Sequence, residues 1–216
     1  MYQNLLVLGA AGEISVKLIS QLLETTDFNL FLYGRNVSQR LEHFAGNRIQ
    51  FIDASFDDRE ALKKAFALVD VVYLNSMEYH SSTQTILQVM SESPVKRLIA
   101  AGMAGVENEV PEGLSNWTQM VLPNDYIEGE IRSARLLKGS NLDYTLLRLT
   151  WLFDSQTDRE VELVPEGQAF ADAEVSREAV VDVIQTILLD EDQSKWIRRS
   201  FGVGKPGTHF DKPSFY

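Results

Sequence analysis

Short apolar runs alternating with amphipathic helical patterns along nearly all 216 residues predict an α/β chain: a doubly wound, mostly parallel sheet with helices on both faces. A second observation agrees. The chain opens on an apolar run, a glycine-rich turn and an amphipathic helix with no spacer between them (NLLVLGAAGEISVKLISQLL, residues 4–23). A third is the lack of any repeat, low-complexity tract or Pro/Ser-rich linker. This predicts one domain over residues 1–216, with residues 150–175 and 204–216 as a small substrate-side cap and tail.

Residues 4–8 are nearly all apolar, as in a strand buried on both faces. Gly9-Ala10-Ala11-Gly12 turns the chain. From there Ile14, Leu18, Ile19 and Leu22 recur at helical spacing. Strand, glycine turn and helix form the context of a dinucleotide-binding turn. Glycines let the backbone approach a pyrophosphate, and the free N–H groups and dipole of the helix start attract it. Gly9, Ala11, Gly12, Glu13 and Ile14 are therefore candidate cofactor residues, set against the alternative of a plain strand-to-helix turn. The spacing Gly9-x-x-Gly12-x-x-Ser15 departs from G-x-G-x-x-G, with small Ser15 where helix and strand must pack closely.

Residues 28–33 read as strand two, ending at Gly34-Arg35. An acid here would bind the ribose hydroxyls of NAD, whereas an arginine suits the 2′-phosphate of NADP. Arg40 is close enough to assist; the alternative is a solvated loop arginine. Residues 48–52 read as strand three, with Asp53 and Ala54 at the carboxyl end that faces the ligand crevice. Asp53 is a candidate acceptor for the adenine amino group, or else an acid at the start of the helix at 57–67, whose early acids and later lysines suit the helix dipole. Strand four is 69–74. Asn75, Ser76 and Met77 follow, where the cofactor's second ribose and nicotinamide would pass. A helix over 79–92 ends near Pro94, and strand five, 96–101, closes on Gly102 and Met103. Residues 106–116, polar with Pro111 and Gly113, read as a surface loop. A helix over 125–138, strand six over 144–149, an edge strand near 160–164, a helix over 176–189 capped by Ser176, and a strand over 196–203 complete the series.

A net charge of −11 disfavours nonspecific nucleic-acid binding. The absence of cysteine excludes disulfides, thiolate metal sites and cysteine nucleophiles. His43, His80 and His209 are scattered without metal-ligand spacing, so no metal is expected. No apolar run is long enough to span a bilayer, and no basic, apolar leader precedes the first strand. A cytoplasmic protein is the expectation.

These stretches together resemble the atypical short-chain dehydrogenases/reductases, in the NmrA-like, NAD(P)H-binding branch. The resemblance rests on VLGAAGEIS (7–15), YGR (33–35), FIDASFDD (51–58), SNLDYTLLR (140–148) and VSREAVVDVI (175–184), and it spans the chain. It implies a Rossmann fold, NADP(H) preferred over NAD(H), and cofactor contacts from Gly9, Ala11, Gly12 and Ile14. It also implies Arg35 on the 2′-phosphate, Asp53 and Ala54 beside the adenine, and Asn75 to Met77 after strand four; Gly102, where strand five closes, is a further candidate cofactor residue.

The resemblance breaks at the catalytic pair. Active members of the wider superfamily use Tyr-x-x-x-Lys, in which the lysine lowers the tyrosine pKa. Here the matching stretch is Tyr126-Ile127-Glu128-Gly129-Glu130. A carboxylate would raise the tyrosine pKa instead, and the serine expected near strand five is also missing. Two functions follow. One is hydride transfer to a flavin, quinone or similar small acceptor in a slot formed by Met103, Tyr126, Trp151 and Phe153, with water delivering the proton. In that reading Tyr126 is a candidate catalytic residue. The other is an NADP(H)-binding redox sensor that acts through a protein partner. The four slot residues also fit ordinary core and cap packing.

Overall fold

In the computed structural model, which describes residues 2–216, β1 (Asn4–Leu8) lies in the interior of an eight-stranded sheet, third from one edge. The chain winds outward from it through α1 (Glu13–Thr25), β2 (Asn29–Gly34), the short α2 (Val37–Arg40) and β3 (Ile49–Asp53). It then returns through α3 (Arg59–Phe66) to β4 (Val71–Leu74) on the opposite flank of β1. Next come α4 (His80–Ser91), β5 (Arg97–Met103), α5 (Glu112–Val121), α6 (Asn124–Lys138) and β6 (Asp143–Leu149). The last segment holds β7 (Trp151–Phe153), β8 (Glu162–Pro165), β9 (Glu174–Ser176), α7 (Arg177–Leu189) and β10 (Arg199–Gly204). The sheet order is β3-β2-β1-β4-β5-β6-β10-β8. All neighbours are parallel except β8, which pairs antiparallel with β10 at the edge. The strand order reverses between β1 and β4, the place where ligands bind in open α/β sheets.

The central strands are apolar on both faces because both faces are covered. Leu5 and Val7 point to the side held by α1 and α7, and Leu6 and Leu8 to the side held by α3, α4 and α6. The periodic residues of α1, Leu18, Ile19 and Leu22, are fully buried. Each such side chain contributes about 1.5–3 kcal/mol on burial. Ser176 caps α7 through the Ala179 N–H (3.0 Å), as its position in the sequence predicts.

The structure redraws three stretches. Only the first part of 106–116 is loop, because α5 begins at Glu112 directly after Pro111. Pro111 therefore sits at the helix start, where its missing N–H costs nothing. The final strand starts at Arg199, not 196, since residues 193–195 form a single 3-10 turn. The cap contains a parallel pair, β7 with β9, too short to leave a periodic trace in the sequence.

Candidate active site

The glycine turn is built almost entirely from backbone. Gly9 adopts φ +80°, a left-handed conformation that a side chain would strain. The N–H groups of Gly9 and Ala10 both donate to the Tyr33 carbonyl (3.0 and 3.2 Å), and that of Gly12 donates to the Gly9 carbonyl (3.0 Å). Gly12 is the N-cap of α1 and has no side chain to cap it. The N–H groups of Glu13, Ile14 and Ser15 thus have no intrahelical acceptor, the arrangement that suits an anion at a helix start.

Asn75, just beyond β4, closes the other side of the turn. A Cβ on Gly12 would lie 2.3 Å from its Nδ2. Its N–H donates to the Leu8 carbonyl (3.0 Å), and its Oδ1 accepts from the Ser15 hydroxyl (3.0 Å) and the Tyr73 hydroxyl (3.3 Å). Ser15 is therefore more than a small residue in the third glycine position. Its hydroxyl ties the first turn of α1 to the end of β4.

Arg35 is exposed beyond β2, and the Arg40 guanidinium reaches back to the Ala11 carbonyl (3.4 Å). Asp53 stands at the end of β3, paired in register with Gly34. Its carboxylate accepts from the Ser38 hydroxyl and from the Ser38 N–H (3.0 Å), and these bonds hold it below the usual carboxylate range. It fastens α2 to the sheet, while Asp58 caps α3 through the Ala61 N–H (2.9 Å). The Ala54 N–H donates to the Gly34 carbonyl (3.2 Å).

From this turn a cavity of about 400 Å³ opens across the carboxyl ends of β4, β5 and β6. Of the residues singled out in the sequence, Glu13, Ile14, Asn75, Ser76, Gly102, Met103, Tyr126 and Trp151 line it. Met77 does not: it is fully buried beneath Gly102, where an added Cβ would meet its Cε at 2.8 Å. Phe153 packs on Phe215 outside the lining (centroids 5.8 Å apart). Arg35, Asp53 and Ala54 lie on the turn's other flank.

The structure adds lining residues that the sequence reading passes over: Leu114 and Thr118 from α5, Leu122 just after it, Arg177 at the start of α7, and Tyr216. Leu114, Thr118 and Leu122 recur every four residues, a helical signal hidden beside Pro111 and Gly113. The Tyr216 ring meets Trp151 edge-on (5.3 Å) and Trp117 (5.6 Å), and the Trp151 indole donates to the Thr118 hydroxyl (3.3 Å). Arg177 bridges to Glu13 (2.6 Å) and Asp154 (3.5 Å), pinning the start of α7 to the start of α1.

Tyr126 and Glu130 share one face of α6, and both line the cavity. The Tyr126 pKa is pushed up, first by burial and then by Glu130 and Glu78, the direction the sequence requires. Glu130 is only 2% exposed. Burial pushes its carboxyl up to about 7; the Met103 and Met77 backbones oppose this, and Glu78 adds to it. The backbone N–H groups of Glu13 and Ile14, Asn75 and the glycine turn can hold a nucleotide's charged linkage, while Met103, Tyr126, Trp151 and Tyr216 offer apolar and aromatic surface beyond it. Among the described residues no group of acids and histidines is placed to hold a metal ion.

Residues 9–191 match the family model described as NAD(P)H-binding, so the chain belongs to this NAD(P)-binding, Rossmann-fold family of short-chain dehydrogenase/reductase type. Among solved structures it is 43% identical to a short-chain dehydrogenase/reductase from Veillonella parvula DSM 2008 in complex with NADP, with all of both chains covered and a TM-score of 0.96. A Rossmann-fold NAD(P)-binding family protein from Shigella flexneri is 27% identical over 99% of each chain, with a TM-score of 0.77. An anaerobillin reductase from Escherichia coli O157:H7 shares the fold at 14% identity, covering 95% of this chain and 98% of its own, with a TM-score of 0.77. No curated protein matches the chain. The cradle fits the group the family binds. Gly9 and Gly12 let the chain turn closely against Asn75, where a Cβ on Gly12 would meet Nδ2 at 2.3 Å, and the start of α1 has no side-chain cap to compete for its first N–H groups. No helix among the described residues is long and apolar enough to cross a membrane.

Proposed function

We propose that the chain is an NADPH-dependent oxidoreductase that reduces a small, planar acceptor such as a quinone or flavin. The observation that carries this reading is the continuity of the site: one cavity runs from the start of α1 to the aromatic wall of Trp151 and Tyr216. Its volume lies in the range of small-molecule sites, which are mostly apolar with a few placed polar groups. When bound, the reduced nicotinamide supplies a hydride. The protein's own part is to hold and exclude. The turn at Gly9–Ile14 takes the pyrophosphate, and Asn75 keeps the turn and β4 in register. Asp53 and Ala54 border the adenine side, with Ser76 and Gly102 along the path to the cavity. Trp151, Tyr126 and Met103 keep a ring dry beside them.

Arg35, exposed and without an ion-pair partner among the described residues, is assigned to the 2′-phosphate, with Arg40 beside it. The relative that carries NADP, at 43% identity, supports this preference. A charge-assisted contact contributes about 1.5–3 kcal/mol, or roughly 10- to 150-fold in affinity. Calorimetric titration should therefore show NADPH binding tighter than NADH, and Arg35→Ala should remove roughly that factor for NADPH alone. An unchanged NADPH affinity in the variant sinks the assignment.

A second reading, a redox sensor that binds NADP(H) and signals to a protein partner, draws support from the lost lysine at position 130. The same samples decide between the two. Oxidation of NADPH dependent on menadione or flavin mononucleotide selects the reductase; tight binding without oxidation selects the sensor.

A further inference from the structure

The acid that replaces the superfamily's lysine is not a surface residue turned inward by chance. On α6 the outward positions Glu128, Arg132 and Arg135 are exposed, whereas Glu130 is buried against the ends of β4 and β5. It lines the cavity, its Oε2 has no hydrogen-bond partner, and that atom lies 3.4 Å from where a Cβ on Gly102 would sit. A purely structural buried acid would be paired, because an uncompensated charge or polar atom away from water is costly.

No cation faces it. On its own helix stands Tyr126, and from the loop after β4 comes Glu78, a second acid. Glu13 and Arg177 also line the cavity, but Arg177 is already bridged to Glu13 and Asp154. The Met103 and Met77 backbones offer only partial compensation. The helix lies close on the loop after β4 here: a Cβ on Gly129 would meet the Glu78 carbonyl at 2.6 Å.

We propose that Glu130 is the proton donor for the molecule reduced in this cavity, and that this molecule is a planar, uncharged, conjugated carbonyl compound whose oxygen meets Oε2. The inference rests on the reductase reading above and replaces water with a protein acid in it. The balance is simple. Hydride, with NADPH as the reductant, adds at carbon, and the π pair of the carbonyl moves to oxygen. The O–H bond forms as the Oε2–H bond breaks, and the carboxylate left behind takes a proton from water at the cavity mouth. Because burial pushes the carboxyl of Glu130 up to about 7, a large fraction of the molecules carry that proton near neutral pH and the group can be reloaded.

The test begins without any nicotinamide. Infrared difference titration of the full chain should show a protonated-carboxyl band that persists near neutral pH. Asp172, another carboxyl pushed up to about 7 by burial, gives a band of its own, so the Glu130 band is the component that Glu130→Gln removes and Asp172→Asn leaves. Adding menadione alone should shift the band. A band that is absent, or indifferent to menadione, overturns the proposal whatever NADPH does. With NADPH and menadione, Glu130→Gln should keep NADPH affinity within about twofold but slow single-turnover reduction by about 100-fold or more, in the range of general acid catalysis. Wild-type reduction should fall as pH rises through about 7, and Glu130→Asp should restore part of the rate. Normal turnover in Glu130→Gln with NADPH binding intact overturns the assignment of Glu130 alone. Failure of the wild type to bind NADPH overturns the cofactor reading, and the infrared result still decides whether Glu130 carries its proton to a carbonyl ligand.

Discussion

The two flanks of the cavity are held together by different chemistry. On the glycine-turn side the anchors are backbone amides, the Ser15 and Tyr73 hydroxyls and the neutral side chain of Asn75. Across the sheet, behind β5 and β6, the anchors are charges. Arg148, with no exposed surface, bridges to Glu109 (2.6 Å) and Glu107 (3.5 Å) and donates to the Val164 carbonyl (3.2 Å). Lys138 joins the same network through Glu107 (2.9 Å) and Glu166. A cradle meant for a phosphate-bearing ligand gains from unpartnered N–H groups and would lose from fixed acids beside them. The acid at the edge of the turn, Glu13, is accordingly paired with Arg177.

The charged flank should break hardest. Arg148→Met leaves Glu107 and Glu109 buried without their guanidinium, and losing one partner of a buried pair costs about 3–5 kcal/mol. Urea denaturation should show a loss of that size, with the denaturant slope unchanged. A loss below about 1 kcal/mol would mean that the loop from Ala104 to Pro111 is held by something other than this network.

Glu130 should respond in the opposite direction. Its folded-state pKa lies above its ordinary value of 4.5, so the folded chain holds the proton more tightly than the unfolded one. The stability this confers is fully present below about pH 4.5 and is lost as pH rises through about 7. At 1.36 kcal/mol per unit the penalty in the wild type reaches about 3 kcal/mol above that range. Glu130→Gln removes the titration. The variant should be more stable than wild type by up to about that amount near pH 8, and the advantage should shrink steadily towards pH 4.5. A gain that does not depend on pH would show that the carboxyl is solvated, which would also undercut its role in the cavity. Stability bought at the cost of turnover is the pattern expected when a strained group serves chemistry.

Legibility in the sequence followed the same division. The turn and α1 could be read because three signals coincide within residues 4–23: an apolar strand, glycines where the backbone must turn, and helical spacing of Ile14, Leu18, Ile19 and Leu22. Ser176 as a cap was legible for a similar reason. Asp53 was ambiguous because its partner, Ser38, lies 15 residues away in the chain. The burial of Glu130 was not legible at all: a charged residue on an amphipathic helix reads as surface, and only the approach of α6 to Glu78 places it inside. Tyr216 and the β7–β9 pair were missed because a tail and a three-residue strand have no period to detect.

The smallest expected effect tests the neutral flank. Ser15 is fully buried, and its hydroxyl shares the Asn75 Oδ1 with Tyr73. Ser15→Ala removes one of two donors, so Oδ1 stays satisfied and the loss is that of a single hydrogen bond, about 0.5–1.5 kcal/mol, partly offset by alanine's better helix propensity. Tyr73→Phe should behave alike. The double variant strands a buried acceptor and should cost more than the sum of the two, by about 1 kcal/mol or more, because contacting residues that share a partner are not additive. NADPH affinity should follow the same order, falling by no more than about tenfold in either single variant and further in the double, since Asn75 is what holds the glycine turn against β4. Strict additivity in both stability and affinity would show that Asn75 is positioned by the backbone bond to Leu8 alone, and that the hydroxyl at position 15 is only a small residue filling the place of the third glycine.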